Sequence, residues 1–141
     1  MAYCTLDQLI AQYGEALLAE STDRGDVSTG EIDETAVQAA IDSADALIDG
    51  YLKLRYALPL ATLPALVNEL ALPIALYKLH AAVASQKVRQ DYDDALKLLA
   101  QINAGTVRLD VAGAEPAASG ASGVRVTDRE RPFTADSLKG Y

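Results

Sequence analysis

Apolar residues recur at helical spacing through most of the first hundred positions, and the recurrence falls into separate blocks. In the first block Leu6, Leu9, Ile10 and Tyr13 stand three and four apart, with Thr5 placed to cap the helix they make. Gly14 breaks or bends that helix before residues 15–20 continue it, and residues 21–32 are a polar loop with no periodicity. The longest block covers residues 33–60. Val37, Ala40, Ala44, Leu47, Ile48 and Tyr51 lie on one side of its helix, and Gln38, Asp42, Asp45, Asp49 and Lys53 on the other. Asp33 is its N-cap and Glu34 suits the positive end of the helix dipole. The stretch before Pro59 stops the helix, because a residue preceding proline is pushed out of the α region. Gly50 costs about 1 kcal/mol in a helix interior, so it is expected to admit close approach of a neighbouring element. Arg55 falls near the apolar side between Tyr51 and Tyr56, where its guanidinium can reach helix-terminal carbonyls or a carboxylate.

Pro64 suits the first turn of a third helix. One of its stripes runs through Leu66, Leu70, Ile74, Tyr77, Ala81, Ala84 and Val88, and another through Leu72, Leu76, Leu79 and Val83. A helix apolar on two sides belongs at the centre of its bundle, and Pro73 should kink it. Residues 91–103 repeat the pattern through Tyr92, Ala95, Leu96, Leu99 and Ile102. Asp91, Asp93 and Asp94 suit a helix start, Asp93 can pair with Lys97, and Gly105 signals the stop. A separate helix and a continuation of the third both remain open. Residues 107–111 and 124–127 alternate like short strands, and residues 112–123 are a small-residue linker expected to be mobile. The pattern predicts an all-α fold, a small bundle of four to five helices with a short β hairpin or arm and a flexible C-terminal tail.

Net charge is −8 at pH 7, and it is unevenly spread. Residues 1–50 hold eleven acids and one base, or −10, whereas residues 51–141 hold nine acids and eleven bases, or +2. Such a chain is poorly suited to gripping duplex DNA, although the asymmetry can help identical subunits meet head to tail. No apolar segment predicts a membrane span or a secretory leader. The single cysteine, Cys4, excludes an internal disulfide and fits a reducing cytoplasm as a small buried residue.

No spacing points to catalysis, to a cofactor or to a metal. The carboxylates between Asp23 and Glu34 miss the calcium-loop pattern, Arg24-Gly25-Asp26 reads as a chance tripeptide, and His80 has no ligand partner in sequence. Asp42, Asp45 and Asp49 are expected to stay ionised in water. Seven tyrosines against one phenylalanine supply contact area of the kind proteins use at interfaces. Tyr51, Tyr77 and Tyr92 lie on core stripes, and Tyr3, Tyr56 and Tyr141 are the better interface candidates.

The run Asp-x-Leu-Ile-Asp-Gly-Tyr-Leu-x-x-Arg-Tyr-x-Leu-Pro-Leu, ending at Leu60, resembles the small Mu-like phage proteins assigned to the head–tail junction. The likeness extends to residues 3–14, to the helices after Pro64 and to residues 131–141. It implies a head-completion adaptor, not an enzyme, in the virion neck after synthesis in the host cytoplasm. Such an adaptor forms a ring beneath the portal protein and joins it to a tail-side neck protein, with DNA merely passing through the lumen and no membrane involved. Carried over, Gly50, Tyr51, Leu52, Arg55, Tyr56 and Pro59 would shape the helix tip and its turn. Arg131, Pro132, Phe133 and Tyr141 would lie on a docking arm, beside Arg125 and Arg129, which can meet the acidic half of a neighbouring copy. The chain then divides into a helical adaptor domain (1–111), a linker (112–123) and a docking arm (124–141). A soluble helical scaffold or regulatory module that binds one phage or host protein without entering a particle is the alternative.

Overall fold

A computed structural model of the protein describes residues 2–23, 29–80 and 84–111, and these form five helices: α1 (Leu6–Tyr13), α2 (Glu15–Thr22), α3 (Glu34–Leu52), α4 (Ala65–Leu79) and α5 (Gln86–Ala104). Local chemistry sets most of the boundaries. Thr5 opens α1 with a capping box, its hydroxyl accepting from the Gln8 N–H while its own N–H donates to the Gln8 side chain. Gly14, at φ 86, ends α1 and begins α2, a conformation that side chains with a Cβ rarely adopt. The chain therefore breaks there. The Asp33 carboxylate accepts from the N–H groups of Thr35 and Ala36 at 2.9 and 3.2 Å, satisfying donors that α3 itself cannot.

Helix α3 stops at Leu52, well short of Pro59. The Leu52 carbonyl accepts from both Arg55 and Tyr56 N–H, at 2.9 and 2.8 Å. That tight closure takes over from helix continuation and turns Tyr56 into the core, where it is 2% exposed. Gly50 does not have the role expected from its position. A Cβ placed there meets nothing within 4 Å, so no other part of the described chain needs a glycine at this point.

Helix α4 is central, as its two apolar stripes require. It packs against α3, α5 and α1, and eight of its fifteen residues are buried. Fully burying a Leu or Ile of this kind stabilises by about 1.5–3 kcal/mol, so α4 dominates the core. Pro73 sits within α4, which continues as a helix to Leu79. The third and fourth sequence blocks are separate helices. His80 ends α4 in an extended conformation, and the Ser85 hydroxyl accepts from the Val88 N–H to begin α5. Asp91, Asp93 and Asp94 thus lie beyond the first turn of α5, and Lys97 pairs with Asp94 at 2.8 Å rather than with Asp93.

No strand occurs among the described residues, which corrects the β arm expected at 107–111. Alternation is present, but it serves packing. Leu109 and Val111 are buried, and the Leu109 N–H donates to the Tyr56 hydroxyl at 3.0 Å instead of to a neighbouring strand. Residues 112–141, with the expected linker, second strand and docking arm, lie outside the described residues. Tyr56 meets the segment after α5, and Arg55 meets Gly105 at the α5 terminus, so α3 and α5 end at the same pole of the bundle. Helix α4 starts near that pole and runs back between them.

Candidate interaction surface

Two places gather the residues singled out by the sequence. The first is the N-terminal segment against α3. The Tyr3 N–H donates to Asp45 at 3.1 Å, the Tyr3 hydroxyl donates to Asp49, and the Tyr3 carbonyl accepts from the Asn68 amide at 2.7 Å. Asn68 also donates to Gln8 at 2.9 Å, which ties the start of α1 to α4. Tyr3 is wholly buried. It is a core residue, contrary to the expectation of an interface role.

The three carboxylates of α3 are accordingly not equivalent. Asp42 is exposed and accepts from the Gln38 amide one turn away. Asp45 is only 9% exposed, and burial raises its pKa above the usual carboxylate range, partly opposed by the N–H donated from Tyr3. Asp45 and Asp49 together hold the N-terminal segment, so of the three carboxylates expected to face water only Asp42 is exposed.

Burial beside Asp45 also sets the behaviour of Cys4, which is 2% exposed. Burial first, and the Asp45 charge second, push its thiol from an ordinary value of 9.0 up to about 12. Burial likewise pushes the Tyr13 phenol up to about 12, with Asp91 adding to the shift. Between these values the unfolded thiol ionises and the folded one does not, so stability is intact below the lower value and is lost as pH rises through the window. Raising the solution from about pH 8 to about pH 10.5 should therefore cost the parent on the order of 2 kcal/mol more than it costs Cys4→Ala. Urea midpoints of both proteins at the two pH values check this, and equal losses would show that the thiol does not report burial.

The second place is the pole where α3 and α5 end. Here the sequence candidates Tyr51, Arg55, Tyr56 and Pro59 come together, but with different exposures. Tyr51 is half-buried and Tyr56 is a core residue, while Pro59 is exposed. The Arg55 guanidinium lies against Gly105 so closely that a Cβ at position 105 would collide with it. Gly105 has φ 79 and closes α5, with its N–H directed to the Gln101 and Ile102 carbonyls. Arg55 thus places positive charge at the negative end of the α5 dipole, as its position near the apolar side suggested. Arg131, Pro132, Phe133 and Tyr141 lie outside the described residues.

Leu54 is the residue that sequence reasoning missed. It is 72% exposed, yet it stands three residues after Tyr51 on what would be the buried stripe if α3 continued. Only the early end of α3 frees it. Nearby, Tyr77 and Tyr92 stack with ring centroids 4.0 Å apart and 11° between planes, tying α4 to α5. The His80 ring N–H at Nδ1 donates to the Leu76 carbonyl at 2.8 Å and so serves the end of α4.

Among the described residues, no group of three or more His, Cys, Asp or Glu side chains could hold a metal ion, and no helix is long and apolar enough to cross a membrane. What remains is a helical bundle with an uncharged run, residues 56–68, after the end of α3. Comparison with known proteins gives this arrangement a context. Residues 3–128 match the family described as "Bacteriophage Mu, Gp36". The chain is 31% identical over 110 residues to the Mu-like prophage FluMu protein gp36 of Haemophilus influenzae, covering 78% of each chain. It is 30% identical over 105 residues to Gene product J of Escherichia phage Mu, covering 74% of each. The family match takes in every described helix, and the chain belongs to the bacteriophage Mu Gp36 family.

Proposed function

We propose that the protein is a structural component of the phage particle, a head–tail connector that sits in the virion neck as a ring joining the portal protein to a tail-side neck protein. The observation that carries this reading is the family match from residue 3 to residue 128, which includes the Gly50-to-Pro59 turn on which the resemblance to head–tail junction proteins rests. The charge distribution is compatible with it. A half-chain of −10 lets DNA pass a lumen without being gripped, because duplex binding needs clustered Lys and Arg. No catalytic step is assigned to the chain.

Mass analysis of the purified protein, alone and mixed with its portal protein, tests the reading. A closed multiple of the 14.9 kDa chain, seen as a ring by negative-stain microscopy and bound to the portal, is the expected result. A monomer that binds one phage or host protein at one-to-one stoichiometry would instead support a scaffold or regulatory module.

A further inference from the structure

We infer that copies of this chain meet head to tail, with the turn after α3 of one copy seated on the outer face of α2 of the next. The inference rests on the ring reading above and assigns the contact that would build the ring. Leu54 is the most exposed large apolar side chain among the described residues, at 72%, followed by Leu17 at 38%. Leu54 stands between Lys53 and Arg55, and the turn that follows is uncharged, for no charged residue occurs from Tyr56 to Asn68. Pro59 and Leu63 are exposed within that run, and Lys53 is exposed at its rim. Leu17 is the counterpart on α2, with Glu20 exposed about one turn on and Glu15 exposed at the start of the helix. Lys53, Glu15 and Glu20 make no ion pair among the described residues. One patch is thus apolar with a basic rim, and the other is apolar with an acidic rim.

Their placement on different elements lets them meet head to tail. The Thr22 hydroxyl at the end of α2 accepts from the Asp33 N–H at the start of α3, at 3.1 Å. Leu54 follows the other end of α3, whose nineteen residues span about 28 Å. Engaged one at a time, tip on the next copy's α2, the patches leave a free tip and a free face at the two ends of a pair, unlike the reciprocal pairing of an antiparallel two-fold dimer. They form a heterologous contact, which closes into a ring when the rotation allows. Apolar centres with charged rims also match how specific interfaces divide affinity from orientation.

Charge exchange tests the contact, with mass photometry and sedimentation of the full-length protein as the readout. Leu54→Ser, Lys53→Glu and the pair Glu15→Lys with Glu20→Lys should each weaken self-association about tenfold or more, with unchanged thermal melting. Mixing the Lys53→Glu protein with the Glu15→Lys/Glu20→Lys protein should restore assembly, because each tip then finds a face of opposite charge. Assembly that all these changes leave intact overturns this contact while the ring reading stands, as does loss of assembly that the mixture does not restore. An assembly that stops at a two-fold dimer also overturns it. A parent that stays monomeric both alone and with portal protein overturns the contact and the ring together.

Discussion

Tyr3→Ala is expected to destabilise the bundle by about 3–5 kcal/mol, the range for deleting a buried aromatic side chain. The expectation follows from where the side chain sits. Tyr3 is wholly buried, and its hydroxyl donates to Asp49 while its backbone is held by Asp45 and Asn68. Alanine keeps the backbone bonds but leaves a cavity and strips Asp49 of its donor. Tyr3→Phe separates these effects, since it keeps the ring. A hydrogen bond to a charged group is worth about 1.5–3 kcal/mol, and Asp49 is only half-buried, so water recovers part of that for the phenylalanine variant. Urea unfolding of both variants gives the comparison. A loss below about 1 kcal/mol for Tyr3→Ala would mean that the N-terminal segment is not part of the folded core.

Helix placement was legible where one chemical signal dominated. Thr5, Asp33 and Gly105 each mark a boundary through capping that depends on a single residue type, and the structure uses all three. Two-sided apolarity correctly put α4 at the centre. The misreadings share a cause. Periodicity reports which side of a helix a residue occupies, but not what arrives from elsewhere to cover it. Asp45 and Asp49 lie opposite the main stripe of α3, and the N-terminal segment folds over them from more than forty positions away. Tyr56 and the 107–111 segment behave alike. Their alternation and aromatic character match a strand or an interface, yet they find each other across the bundle pole. Leu54 shows the converse, since its stripe position counts for nothing once α3 ends at Leu52. The candidate surface was therefore legible as a region, through the Gly50-to-Pro59 run, and not residue by residue.

Deleting residues 124–141 is expected to leave the helical domain folded and to abolish its use in the particle. The last core residues among those described are Leu109 and Val111, so the truncation removes none of the packing that α3, α4 and α5 share. What it does remove is Pro132 and Phe133, the compact apolar anchor of the proposed docking arm, with Arg125, Arg129 and Arg131. Binding energy in a short docking segment concentrates in a few anchors, so Phe133→Ala should reproduce much of the damage. Thermal melts of the truncated and parent proteins should coincide.

Complementation of a phage that lacks this gene tests head–tail joining most directly, with lysates counted by electron microscopy. The full-length chain should restore tailed, infective particles, while no protein and the 124–141 deletion should both leave separate heads and tails. Joined, infective particles in the absence of the protein would contradict a connector role.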